Sequence, residues 1–309
     1  MTFLNNFYTV FIQVLILFVF MGFGFIGEKR RFITEEGSKV MSDILLNFVT
    51  PCLIINSLNI SFDKTKFRGI IICVVAYLSI QIVCAVIATL VFRGGEEKSR
   101  LVMRFALVFS NVGYMGIPLQ KAVLGNEGVF YGSVCVAMFN VFVWTYGIIC
   151  MGGKNSQMSL RKLILNPGII AVTIGFILFI FSVKLPTPIS SAISGMAALN
   201  TPIAMMVIGF NLARSNILSA LKDKRVYLVS ALRLILVPLT ALFVLLALGL
   251  RGTILISLII AASAPVAAVT TVFSVKYERD TELSVKLVAF STLLSILTMS
   301  AIVALAQLF

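Results

Sequence analysis

Apolar runs of roughly 18 residues or more, the length that crosses a bilayer, recur along almost all of this 309-residue chain. They fix its solvent as lipid. In hydrocarbon every backbone N–H and C=O needs an internal partner, so the spans are expected as helices. Ten can be marked, at about 7–27, 40–60, 69–92, 102–120, 128–151, 163–183, 188–211, 226–250, 253–275 and 283–308. Five precede the loop around 161–166 and five follow it, so the halves divide as 1–155 and 156–309. An odd number of spans per half inverts the second half relative to the first. The expected fold is an all-α polytopic membrane protein built from two inverted five-helix repeats. The N-terminal run from Phe7 to Ile26 lacks a basic flank and exceeds a signal-peptide core, so it reads as a retained first helix.

Charge sets the orientation. The loops after the first, third, fifth, seventh and ninth spans hold 18 of the 25 basic residues. The opposite side holds Lys64, Lys66, Arg68, Lys121, Lys184 and Arg251, and Arg233 lies within a span. The bias places the odd-numbered loops in the cytoplasm and both termini outside, in a multi-pass cell inner membrane protein. The net charge of +13 is therefore a loop property. It implies attraction to anionic membrane lipids and no nucleic-acid partner.

The apolar spans are interrupted at matched places. Thr50-Pro51 recurs as Thr201-Pro202, 151 positions later. The stretch from Asn111 to Pro118, with Gly113 and Gly116 inside it, breaks the fourth span. Ser263-Ala264-Pro265 breaks the ninth, 147 positions on with the prolines aligned. Glycine removes a side chain and proline a backbone donor, which frees amides and carbonyls from their helical partners. A single break of this kind often only kinks a helix. Two at matched positions of an inverted repeat point to a substrate site between unwound helices.

Ser110 and Asn111 add short donors and acceptors at the first break, and Thr270 follows the second. The helix restarting after each break aims its amides at it, which favours an anion. Asn47, Thr50, Asn200 and Thr201 surround the other proline pair and suit either a cavity wall or interhelical hydrogen bonding. Asn140 in the fifth span divides evenly between those roles. Arg233 lies eight residues into its span. That modest depth favours a structural role or snorkelling to the interface, the alternatives being neutralisation of an anionic substrate or capping of freed carbonyls.

The absences narrow the chemistry. There is no histidine, all twelve carboxylates lie in loops or near span ends, and the five cysteines form no C-x-x-C pair. No metal site, cofactor or catalytic pair is expected. A mid-membrane carboxylate, the usual cation relay, is missing too. No phosphate-binding G-x-x-x-x-G-K-[ST] loop occurs, so energy comes from gradients or exchange.

At these residues the chain resembles the auxin efflux carrier family, whose bacterial members include malate and malonate permeases. The resemblance rests on the ten spans, Asn111 to Pro118, Phe139-Asn140 to Gly147, and Ala262 to Pro265. It implies a fold similar to the bile-acid symporters and sodium/proton antiporters, with broken fourth and ninth helices crossing at their centres. It implies alternating-access transport of a small organic anion, a dicarboxylate such as malate. The loop of 152–166 is short, as in the bacterial permeases. The rival reading is a cation-coupled symporter of a bulkier amphipathic acid; proton or sodium coupling and a homodimer are left open.

Overall fold

The computed structural model describes residues 2–153 and 164–309. The expected boundary between halves at 155, and most of the short loop beside it, lie outside the described residues. Among those residues the chain is all-helical. The helices, apart from a single turn at Ile217–Ala220, are α1 (Phe3–Lys29), α2 (Glu35–Leu58), α3 (Lys64–Val91), α4 (Glu97–Val108), α5 (Val112–Gly152), α6 (Pro167–Ile180), α7 (Thr187–Arg214), α8 (Lys224–Ala247), α9 (Gly252–Ser263), α10 (Val269–Lys276) and α11 (Thr281–Ala306). Seven of them, α1, α2, α3, α5, α7, α8 and α11, are long and apolar enough to cross a membrane.

Short polar residues start several of these helices. Thr34, Asp63, Asn166, Asp223 and Asp280 each accept a first-turn amide. Proline shapes the interiors. A widened π-type turn ends two residues before Pro51, before Pro118 and before Pro238. Proline cannot donate to the carbonyl four residues back and its ring pushes against it, so the turn opens by one residue. A fourth widened turn, Val143–Gly147, has no proline; there the Thr145 hydroxyl meets the carbonyls of Val141 and Phe142.

The surface is apolar and the interior partly polar. Phe23, Val75, Val86, Phe243 and Val244 are exposed, while Gln81, Asn111, Gln120, Arg233 and Ser291 are buried. That inversion of the water-soluble pattern suits a protein solvated by lipid.

Loop contacts sort the ends of the bundle. Lys29 donates to the Ala213 carbonyl, Arg214 pairs with Glu35, and Arg225 bonds Ser99, which donates to Asp280. Arg279 meets both Glu97 and the Met151 carbonyl. The Arg225 guanidinium also holds the Asp223 carboxyl below the usual carboxylate range. At the other end the Phe62 amide donates to Ser182 and Thr253 to Glu127. The basic odd-numbered loops therefore gather at one end and the even-numbered ones at the other.

Helix α1 packs on α7, and α2 on α6. The first seam is reciprocal: a Cβ on Gly24 would lie 2.0 Å from the Met206 carbonyl oxygen, and one on Gly209 1.9 Å from that of Met21. Backbones approach this closely in membranes only through small residues. Within α5, Gly125 takes φ 65° and ψ −145°, a left-handed conformation open to glycine, and turns the chain back on itself. Its two arms close over the buried Gln120, whose amide donates to the Ser257 carbonyl of α9 at 3.0 Å.

Candidate functional site

Helix α4 stops at Val108 and α9 at Ser263, and both chains then run extended. Ala264 is extended because it precedes Pro265. Ser110 and Asn111 have short polar side chains that compete with helical backbone bonding. The two extended segments cross and pair as a single antiparallel bridge between Ser110 and Val266. The Asn111 amide donates to the Pro265 carbonyl at 2.7 Å, and the Ala267 amide to the Phe109 carbonyl at 2.9 Å. A third amide, that of Val266, donates to Ser291 Oγ of α11 at 3.1 Å.

The antiparallel register sets Ser110 opposite Val266, Asn111 opposite Pro265 and Phe109 opposite Ala267. Pro118 lies inside α5, past the break, where its effect is the widened turn Val112–Gly116.

The two helix ends that stop at the crossing present unpaired carbonyls, and Arg233 takes them. Its Nη1 donates to the Leu107 carbonyl at 2.9 Å and more weakly to Val108 at 3.5 Å. Its Nη2 donates to Ala262 at 2.7 Å, and Nε to Ala264 at 3.3 Å. The residue is 2% exposed, so snorkelling gives way to carbonyl capping, a structural role. Counting residues along a helix measures axial depth, whereas the guanidinium points inward from the widened turn that Pro238 opens. From helix α3, the Tyr77 hydroxyl lies 3.4 Å from Ser110 Oγ.

Arg233, Tyr77 and Ser291 were not among the expected site residues. Pro238, five positions after Arg233, was a usable signal for the first, and the hydroxyls at 284, 291 and 295 on one helix face for the last. A lone tyrosine in an apolar span gives none.

On the other side of the crossing, helices restart. Asn111 is the N-cap of α5 but its side chain caps nothing, and its buried Nδ2 has no partner. A Cβ on half-buried Gly113 would meet nothing within 4 Å, so the first turn of α5 opens onto space. Gly116 packs instead beneath the Val112 side chain. Buried Thr270, in the first turn of α10, also has an unpartnered hydroxyl. Ser263 is fully buried and spends its hydroxyl on the Ile260 carbonyl of its own helix.

The remaining expected residues separate. Thr50 donates to Asn200 Oδ1 at 3.3 Å, joining α2 to α7, and leaves Asn200 Nδ2 buried and unpartnered. Half-buried Thr201 follows Asn200 on α7. Asn47 is exposed and bonds the Asp43 carbonyl one turn back, so it does not join the site. Asn140 bonds the Val136 carbonyl and lies against Gly168 at the start of α6. A groove of about 380 Å³ between α3 and α8 is lined by aliphatic side chains such as Ile71, Val75, Val244 and Leu248. Among the described residues Ser79 and Thr240 are its only hydroxyl residues, no charged side chain lines it, and its exposed aliphatic walls suit lipid.

The sequence profile of a family described as membrane transport protein matches residues 9–159 and 153–303. An uncharacterized transporter of Methanothermobacter thermautotrophicus is 25% identical over 300 residues, covering 93% of this chain and 95% of its own. Auxin efflux carrier component 1 of Arabidopsis thaliana is 29% identical over 140 residues, covering 44% of this chain and 22% of its own. These relatives are transporters rather than enzymes. The chain belongs to the membrane transport protein family that includes the auxin efflux carriers.

Proposed function

We propose that this protein is a secondary carrier of a small organic anion that works by alternating access at the crossing of the two breaks. A dicarboxylate such as malate or malonate is the class favoured by the resemblance to short-loop permeases. The single observation that carries the reading is the opening at Gly113, bordered by an N-cap asparagine whose buried Nδ2 is unpartnered. The first-turn amides of Gly113 and Tyr114, outside the bonds that Val112 and Met115 make, and a side-chain amide donor in one place suit a carboxylate. The buried positive charge of Arg233 lies beside the same crossing, and carbonyl oxygens rather than a carboxylate are its hydrogen-bond partners. Its charge offsets the negative C-terminal dipole ends of α4 and α9, so they do not repel an anion held at the crossing.

In this reading the chain has ten spans. The fourth is α4 with the first arm of α5, the fifth is the second arm of α5, and the ninth is α9 with α10. The spans form two inverted five-helix halves, 1–155 and 156–309, and the two stretches of the family match support that division. The end where the basic loops gather faces the cytoplasm, which puts both termini outside in a cell inner membrane.

Uptake of labelled malate into proteoliposomes, with other carboxylates as competitors, tests the reading. Uptake should saturate in the wild type. Asn111→Ala should weaken apparent affinity about tenfold or more, as expected for a lost hydrogen bond to a charged group. Equal uptake by both proteins would remove Asn111 from the site. Uptake that rises without saturation would point to a channel.

A further inference from the structure

We propose that Arg233 is a tethered substitute for a coupling cation, and that its guanidinium makes transport independent of sodium and other alkali cations. The inference rests on the carrier reading above, but its test does not. Broken helices in transporters commonly hold a cation with unwound carbonyls and half-helix C-termini, where the helix dipole is negative. Here two such C-termini, those of α4 and α9, converge at one point. The oxygens they present are those of Leu107, Val108, Ala262 and Ala264, and the Arg233 guanidinium bonds all four. A diffusible cation would compete for the same oxygens against a covalently attached one.

Arginine suits the role chemically. It stays charged, carries five donors and is less strongly hydrated than an ammonium, so one side chain satisfies carbonyls from two helices. The backbone contributes its share: the turn widened ahead of Pro238 is the one that carries Arg233. Beside it lie the Tyr77 hydroxyl and the Cys84 thiol, and among the described residues no carboxylate forms an ion pair with it. The cation is therefore neither loaded nor released during a cycle. The net charge moved is that of the organic anion and whatever it exchanges for.

The decisive experiment is thermal unfolding of the purified protein in choline chloride, sodium chloride, lithium chloride and low-millimolar guanidinium chloride, without any carboxylate present. The wild type should unfold at the same temperature in all four. Arg233→Ala leaves a space lined by the four carbonyls that water can enter, so it should unfold several degrees lower in choline and regain much of that loss with guanidinium or sodium. Arg233→Lys, with one ammonium for four oxygens, should fall between the two.

Stabilisation of the wild type by sodium over choline would overturn the proposal, and this arm needs no variant to fold. Destabilisation of Arg233→Ala that no cation recovers would also overturn it, leaving Arg233 a structural clasp only. Failure to find a transported organic acid would leave both arms intact, so the two readings fail separately.

Discussion

Arg233→Met should abolish the folded crossing. Methionine nearly fills the volume of the arginine stem but donates nothing, so the carbonyls of Leu107, Val108, Ala262 and Ala264 lose their partner together. A buried acceptor left without a donor costs about 1–3 kcal/mol. Even with the weak 3.5 Å bond to Val108 set aside, three such groups total about 3–9 kcal/mol, a large share of the 5–15 kcal/mol typical of a folded protein. The penalty is not relieved by solvent, because the site is buried and its surroundings are lipid. Size-exclusion chromatography in mild detergent should show aggregated or absent protein where the wild type gives a single symmetric peak. Unlike alanine, methionine leaves no space for a cation, so added guanidinium should not restore it. A monodisperse variant with wild-type thermal stability would mean that the four bonds are not what holds the two breaks together.

The second large effect belongs to the seam between α1 and α7. In Gly209→Val the new Cβ would lie 1.9 Å from the Met21 carbonyl oxygen, and in Gly24→Val 2.0 Å from that of Met206. Both obstacles are backbone, so no rotamer change relieves them and the helices must separate along the whole contact. Overpacking of this kind costs about 3 kcal/mol or more. The two variants act on one seam, so the double variant should cost less than the sum of the singles. Gly22→Ala supplies the control, because a Cβ there meets nothing within 4 Å on the same helix. Thermal unfolding in detergent should rank Gly22→Ala with the wild type and both valine variants far below it. Near-wild-type melting of Gly209→Val would show that α1 and α7 are not packed backbone to backbone.

The legible and illegible parts of the sequence divide along a physical line. The breaks themselves were readable, because Gly113, Pro118 and Pro265 act on their own backbone. The alternation of loops was readable too, since charge sorts whole loops and needs no atomic detail. Contact register was not: it is set by where α4 and α9 cross, and that places Ser110 opposite Val266. Side-chain direction was hidden for a similar reason. Asn47 sits beside Thr50 in sequence, yet it lies on the exposed face of α2 while Thr50 reaches Asn200. Arg233 was visible as an anomaly, but its partners are carbonyls released by helices more than a hundred and about thirty residues away. No local pattern encodes them.

The carrier account stands or falls most directly on access to Gly113. A cysteine at that position projects into open space, and four of the five native cysteines are buried, so Gly113→Cys in a Cys52→Ser background isolates one reporter. Its rate of modification by a membrane-impermeant thiol reagent should be measured in right-side-out and inside-out vesicles. The account predicts labelling from both sides, slowed by malate or another carboxylate of the panel and indifferent to sodium. Labelling from one side alone, unaffected by every carboxylate, would contradict an alternating-access anion site at the crossing.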